Sequence, residues 1–362
     1  MILKKIVKIL AILIAVVVVL VGGLLGFMTA TEYKPADVEP LNVKGSAENS
    51  YSLGDQLTIM SWNIGYGALG DNADFFMDGG EMVKSASEER VQANMDGIMS
   101  TIETIEPDML FVQEVDRDSS RSYHINEVKM LRDRFDGYES TYGINYKTPF
   151  VPYPIPPLGK VEAGIMTFTN THANDVMRVQ LPVPFTWPVR TVNLKRCVTE
   201  THIPLHDADS GIELGRELVL FNLHLEAYDS GEGKIAQTEM LKDLLKAEQA
   251  KGNFVIAGGD FNQIFSTADK EAYPAQSDKW TPGEIDVTHF GKGFQFLMDE
   301  ETPSCRSLDK PYKGADYDSF QFYLIDGFIV SDNIQVDEMQ TMNLEFVNSD
   351  HNPVMVVFTL KE

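Results

Sequence analysis

Residues 9–28, ILAILIAVVVVLVGGLLGFM, carry no charged or strongly polar side chain. At about 1.5 Å per residue, such a helix is about 30 Å long, the thickness of a bilayer's hydrocarbon core. A helix that is apolar on every side, at the extreme end of a chain, fits poorly into the core of a soluble domain. Lys4, Lys5 and Lys8 precede the run, and Glu32 and Asp37 follow it. The bias of basic residues toward the cytoplasm puts the N-terminus inside and the rest of the chain outside. The expectation is a single-pass protein of the cell membrane, in contact with the lipid bilayer through residues 9–28, with an extracytoplasmic domain. A cleaved signal peptide is the alternative; its apolar core is usually shorter, and the best cleavage site, ending at Ala30, is weak.

Charge narrows the partners. The whole sequence holds 54 acidic and 30 basic residues, a net charge of −24. Taking away the three lysines before the apolar run leaves 27 basic residues against 54 acidic ones, or −27, for the remainder. That field repels polyanions at long range and disfavours a passive binder of nucleic acid or of an anionic surface. The two cysteines, Cys197 and Cys305, form no metal-binding pattern, and a disulfide scaffold is excluded. Export would allow them to pair; two buried free thiols are the simpler expectation. No protein partner is indicated.

Residues 31–55 are polar, contain Pro35 and Pro40, and show no periodicity, as in a linker. From Leu57 onward the chain is patterned, and 56–362 reads as one domain. Its short β-branched and aromatic runs predict strands at Leu57–Trp62, Met109–Gln113, Ala163–Thr169, Leu218–Leu223, Phe254–Ala257, Tyr323–Val330 and Pro353–Thr359. One helix is expected from near Ser85, with Glu88 completing a capping box and Val91, Met95, Ile98, Ile102 and Ile105 on one face, ended by Pro107. A second should run from about Lys234 to Lys251, with Ile235, Met240, Leu241, Leu244 and Leu245 apolar and Gly252 as the stop. Many strands with few helices suggest an α+β fold, a four-layer α/β/β/α sandwich of two mostly antiparallel sheets flanked by helices. The proline-rich stretches 149–160 and 181–188 cannot lie inside a sheet and bracket one short strand. They read as stiff loops, either packed inward or facing substrate or membrane through Phe150, Tyr153, Phe185 and Trp187.

Polar residues recur just past the ends of these strands. Asn63 follows the first, Glu114 the second and His224 the fourth. Asp260 and Asn262 stand in GGDFN, Asp326 in LIDGF, and Asp350 and His351 in NSDHNP. Ligands bind where strand ends converge at a sheet edge. Oxygen donors without thiolates suit Mg²⁺, Mn²⁺ or Ca²⁺, and histidines beside carboxylates suit proton transfer. Any one of these is an ordinary turn or capping residue; their recurrence in six places is what points to metal-assisted hydrolysis of a phosphate ester. His124, His172, His202, His206 and His289 have no such setting.

In order, these motifs resemble the endonuclease/exonuclease/phosphatase superfamily over about Leu57–Leu360, with GDFN and SDH the most specific. The resemblance implies a phosphoester substrate and a divalent metal. It implies Glu114 as main metal ligand, Asn63 beside it, and Asp350 ligating or positioning the ion. Asp260 would orient or deprotonate water, and Asn262 would hold a phosphate oxygen. His224 would contact the scissile phosphate and assist the leaving group. His351 would bind a non-bridging oxygen, kept protonated by Asp326. Gly327 stands where an aromatic residue often follows the aspartate, which should leave that side of the pocket open. The acidic domain favours a small or lipid-linked ester. A surface or secreted nuclease is the alternative, and a non-catalytic binding domain is the reading from another class.

Overall fold

The computed structural model describes residues 2–229, 231–277 and 279–361. Its strands alternate as the sequence alternates. Leu57 and Ile59 face one side and Met60 and Trp62 the other; Leu218 and Leu220 oppose Val219 and Phe221 in the same way. Both faces of these strands are apolar, so each sheet must be covered on both sides. The solution is two sheets packed face to face, with helices outside.

The first sheet has six strands, in the order Ile334–Thr341, Val354–Leu360, Gln56–Asn63, Met109–Asp116, Gly159–Thr169 and Glu139–Val151. The second has eight. Its path runs Val38–Pro40, Asp175–Gln180, Cys197–His206, Glu213–His224, Phe254–Asp260, Asp326–Ser331 and Phe294–Leu297, and Tyr51–Ser52 adds beside Cys197–His206. Pairing is antiparallel except for Gln56–Asn63 with Met109–Asp116, Glu213–His224 with Phe254–Asp260, and Tyr51–Ser52 with its neighbour. Between the sheets lie Ile59, Phe111, Leu220, Ile256, Phe328 and Val356. Gly258 has no side chain there because a Cβ would meet the Phe328 ring at 2.4 Å.

Four α-helices occur among the described residues: α1 (Ile2–Ala30), α2 (Glu88–Ile105), α3 (Glu127–Arg134) and α4 (Glu232–Ala250). Helices α2 and α3 cover the outer face of the six-stranded sheet with Val91, Met95, Ile98, Ile102, Val128 and Leu131. Helix α4 covers the other sheet with Leu241 and Leu245. The order of layers is therefore helix, sheet, sheet, helix, as the sequence suggests. Helix α1 stands apart, exposed over nearly its whole length, and is long and apolar enough to cross a membrane.

Several local expectations change. The N-cap of α2 is Ser87, whose hydroxyl accepts from Arg90 N–H at 3.2 Å, and Ser85 lies upstream of the helix. Ile235 on α4 is 66% exposed, so the buried stripe is narrower than its apolar residues imply. Helix α3 was hidden by its short length and by five charged residues among eight. The stretch 149–160 begins within a strand, because Glu139–Val151 is the outermost strand of its sheet and Pro149 needs no donor on the open side. Two strands, not one, separate it from 181–188. Residues 31–55 are tied to the domain: Val38–Pro40 pairs with Met177–Val179, and Tyr51–Ser52 with Leu205–His206. Two or three residues of ladder are too short to leave a period in the sequence.

Candidate active site

The face between the sheets changes character along its length. On Gln56–Asn63 the inward series is Leu57, Ile59, Ser61, Asn63. On Glu213–His224 it is Leu218, Leu220, Asn222, His224; on Phe254–Asp260 it is Phe254, Ile256, Gly258, Asp260. Asp326–Ser331 runs the opposite way and gives Val330, Phe328, Asp326. Apolar packing thus gives way to a middle polar layer and then to titratable groups at one end. In the middle layer Gln113 Nε2 donates to Ser61 Oγ at 3.1 Å and across the seam to Asn222 Oδ1 at 2.8 Å. Asn222 Nδ2 returns a bond to Met166 O at 2.7 Å.

Glu114 reaches this end by a break in register. Alternation from Leu110 and Val112 would turn it outward, toward the helices. The pairing with Gly159–Thr169 slips between Val112 and Val115, and Glu114 takes φ +54°, a left-handed conformation that favours glycine. Such a bulge re-aims a side chain. Asn262 turns the chain at φ +51° after Asp260.

All eight residues singled out by sequence meet here. Asn63 Nδ2 donates to Asp260 Oδ2 at 3.0 Å and lies 3.3 Å from Glu114 Oε1, while its Oδ1 accepts from Gly65 N–H at 3.0 Å. Asp260 Oδ1 accepts from Asn262 N–H at 2.9 Å, and Asn262 Nδ2 donates to Leu225 O. His224 Nε2 is 3.3 Å from Asp260 Oδ2, and its buried Nδ1 has no partner among the described residues. His351 Nδ1 is 2.8 Å from Asp326 Oδ2; its Nε2 lies 3.8 Å from Asp260 and 3.9 Å from Asp350.

Burial and neighbouring charge set these groups apart. Burial raises the Asp260 carboxyl, and the nearby Asp326 adds to the effect. Burial also pushes Asp350 up to about 6, with Glu114 adding and His351 opposing. For His351 burial alone would favour the neutral ring, but Asp326 leads a group of anions that lifts it well above the ordinary histidine value. His224 is driven the other way, by burial first and then by the Arg196 guanidinium. The two imidazoles are pushed in opposite directions within a single site, a separation that suits acid–base work.

Glu114, His224, Asp260, Asn262, Asp350 and His351 open onto one cavity of about 620 Å³. Sequence reasoning missed several partners. Ser349 Oγ donates to Asn63 O at 2.8 Å, and Ser304 Oγ accepts from Asp326 N–H at 3.1 Å. Arg196 Nη1 donates to His224 O at 3.2 Å, and Trp62 Nε1 to His351 O at 2.9 Å. Ser349 sits inside the NSDHNP block, and a closer reading of that block could have found it. Gly327 is not an opening: a Cβ there would meet Leu297 O at 2.4 Å, because the strand Phe294–Leu297 packs against it. Cys197 and Cys305 are buried free thiols.

Glu114, half-buried, and Asp350, buried, are hard oxygen donors close enough for the charge of Glu114 to raise the pKa of Asp350, a donor set suited to Mg²⁺, Mn²⁺ or Ca²⁺. A family model described as Endonuclease/Exonuclease/phosphatase family matches residues 60–306. No curated protein matches the chain. Among solved structures, an endonuclease/exonuclease/phosphatase from Beutenbergia cavernae is 17% identical with a TM-score of 0.56, covering 84% of this chain and 72% of that one. The human Nocturnin catalytic domain with bound sulfate anion is 17% identical, TM-score 0.50, covering 89% and 98%. A Danio rerio (D. rerio) TDP2 complexed with single strand DNA product is 15% identical, TM-score 0.51, covering 84% and 99%. At these identities the likeness is one of fold.

Proposed function

The chain belongs to the endonuclease/exonuclease/phosphatase family, and on that premise we propose that it is a membrane-anchored, divalent-metal-dependent phosphoesterase with its catalytic domain outside the cytoplasm. The observation that carries this reading is the convergence of Asn63, Glu114, His224, Asp260, Asn262, Asp326, Asp350 and His351 at one end of the seam between the sheets. A binding module has no use for buried carboxylates that repel one another.

Glu114 and Asp350 would hold the ion, with Asn63 beside them; bound there, it would neutralise charge on a phosphate oxygen. Asp260 is gripped by Asn63, Asn262 and His224, and its raised pKa suits it to take a proton from an attacking water. His351, held cationic by Asp326, donates to a non-bridging oxygen and meets the charge that grows in the transition state. His224, pushed toward the neutral form and with Nδ1 unpartnered among the described residues, would serve the leaving-group side. Asn262 lines the cavity and would hold a further phosphate oxygen.

The basic flank of α1 and the acidic residues after it support an extracytoplasmic domain. The packing of Met28 and Thr29 against the domain supports an anchor that stays, since a segment due for removal gains nothing from such contacts. The charge of the domain and the apolar walls of the cleft favour a small or lipid-linked ester over duplex DNA, whose binding rests on many Lys and Arg contacts.

The test is hydrolysis of bis-p-nitrophenyl phosphate by the full chain, with Mg²⁺, Mn²⁺ or Ca²⁺ and with EDTA. Turnover that requires the ion supports the reading. Turnover indifferent to chelation, or none with any ion, removes it. Plasmid cut far faster than every lipid or small ester would make the protein a surface nuclease. Protease added to intact cells should degrade the domain; protection would reverse the topology.

A further inference from the structure

We infer that the mouth of the catalytic cleft is a membrane-docking surface, and that the substrate is a phosphoester borne by a membrane amphiphile that enters from the bilayer instead of from water. This rests on the phosphoesterase reading of the site. The occupant of the apolar rim is the lipid of the leaflet in which α1 ends.

The first observation is the exit of α1. Met28, two residues before the helix end, is 6% exposed and forms part of the wall of the same cavity that holds Glu114, Asp260 and His351. The apolar run 9–28 is one hydrocarbon core in length. Met28 therefore sits at the boundary between hydrocarbon and headgroups, and the cavity wall it helps to form sits there too. That is the depth at which a phospholipid carries its phosphate.

The second observation is that nothing between helix and domain is slack. Trp187 Nε1 donates to Thr29 Oγ1 at 3.1 Å. Glu32 accepts from Arg190 Nε at 3.0 Å and lies 3.5 Å from Lys195 Nζ, with its side chain only 3% exposed. Burial opposes ionisation of this carboxyl, but Lys195 and Arg190 outweigh it and hold it below its ordinary value. Six residues later the chain enters the eight-stranded sheet at Val38. The domain cannot swing away from the bilayer without breaking this clamp.

The third observation is the rim. The wall of the cavity also includes Phe76 and Met77 and, from or next to the two proline-rich loops 149–160 and 181–188, Val151, Tyr153, Phe185 and Val189. The same two loops carry apolar side chains out into solvent: Ile155 is 95% exposed, Tyr153 68%, Trp187 55% and Val189 52%. Clustered exposure of this kind beside a membrane-crossing helix marks a contact surface, and Trp and Tyr are favoured at the headgroup level. A cleft for a free nucleotide or sugar phosphate would be polar there. This one brings phosphate-binding groups, these apolar side chains and Met28 of the helix into the wall of a single cavity, which gives an acyl chain apolar surface beside the phosphate.

The experiment uses the full chain reconstituted in phosphatidylcholine vesicles, with and without brominated acyl chains. Trp62 is buried and Trp280 half-buried, so bromine should quench Trp187, and Trp187→Phe should remove most of that quenching. Equal emission from the two vesicle types would overturn the docking surface, whatever the enzyme hydrolyses. Activity is then read on two esters: bis-p-nitrophenyl phosphate in water, and a diacylglycerol p-nitrophenyl phosphodiester in the vesicles. Ile155→Glu, which removes one apolar side chain from the rim, and Glu32→Lys, which breaks the clamp to Arg190 and Lys195, should each leave the first within about twofold and lower the second roughly tenfold or more. Equal loss on both esters, or no loss on either, would overturn the inference. A wild type that cleaves neither ester would instead sink the phosphoesterase reading, while the quenching still decides the docking.

Discussion

In the six-stranded sheet the parallel pair Gln56–Asn63 and Met109–Asp116 is separated in sequence by α2; in the eight-stranded sheet Glu213–His224 and Phe254–Asp260 are separated by α4. Each pair sits between antiparallel neighbours, and each spends its strand ends on the site. The endings differ. In the second pair the ladder stays in register to its last residues, so His224 and Asp260 lie side by side. In the first, the ladder also holds its register to Asn63 and Gln113, but the next residue, Glu114, lies where Met109–Asp116 slips against its other neighbour, Gly159–Thr169, and is held in an unfavourable backbone conformation. A regular ladder aims two groups with the same pleat at one point, as a proton-transfer pair needs. Bringing a carboxylate that belongs to the other face into the same point needs the bulge. On the proposed roles, the regular half handles protons and phosphate and the irregular half handles the metal, with Asp350 and His351 joining from the turn before Val354–Leu360.

The largest effect should come from striking each half in turn. Glu114→Gln and Asp260→Asn should each lower turnover by roughly a thousandfold or more, the scale of losing a metal ligand or a principal catalytic group. They should part in a thermal-shift titration with Mn²⁺: the stabilisation by the ion should fade in Glu114→Gln and persist in Asp260→Asn. The reverse pattern would exchange the roles of the two halves.

Next in size is the bond that joins them. Asp326→Asn leaves His351 without its carboxylate partner, and turnover should fall on the order of a hundredfold, as for loss of one preorganised donor. If ion affinity falls with it, His351 and Asp326 belong with the metal half. Smaller again is the polar middle layer. Gln113→Leu strands the Asn222 carbonyl in the seam and should cost about 1–3 kcal/mol in urea unfolding; an unchanged midpoint would mean the seam does not depend on that bond.

The smallest effect lies away from the seam, on the outer face of the eight-stranded sheet. His202 is held between Glu217 and Glu200 at 2.7 and 3.1 Å; burial alone would lower its pKa, but the two carboxylates push it up to about 9 from an ordinary 6.5. A pKa raised by folding gives stability that is complete below the unfolded value and lost as pH rises through the folded one. His202→Gln should therefore unfold at a lower temperature than wild type at pH 6, and the gap should close by about pH 9, the folded value. A gap that widened with pH would show the pair to be unimportant.

How far these features are legible in the sequence follows from their physics. Asn63, Glu114, His224, Asp260, Asn262, Asp326, Asp350 and His351 could be named because a polar residue at the end of an apolar run is visible one-dimensionally. The layers were legible because strands apolar on both faces must be covered twice. The bulge at Glu114 was not, since slipping one residue changes no composition. The tether of residues 31–55 escaped because short ladders leave no period, and the filled space at Gly327 because its neighbour Leu297 is thirty residues away. Trp187 and Arg190 could be noted as loop residues, but their pairing with Thr29 and Glu32 spans 158 positions.

The path of the chain has a consequence for when this site exists. Asp350 and His351 belong to the turn before the last strand, and that strand closes the six-stranded sheet against Gln56–Asn63. As the polypeptide is synthesised from its N-terminus, Asn63 and Glu114 emerge early and wait through more than two hundred residues beside an open ladder. Until Asp350, His351 and the strand that follows them leave the ribosome, no nascent chain has the full set of carboxylates and imidazoles, so the proposed activity waits on the closing of the six-stranded sheet.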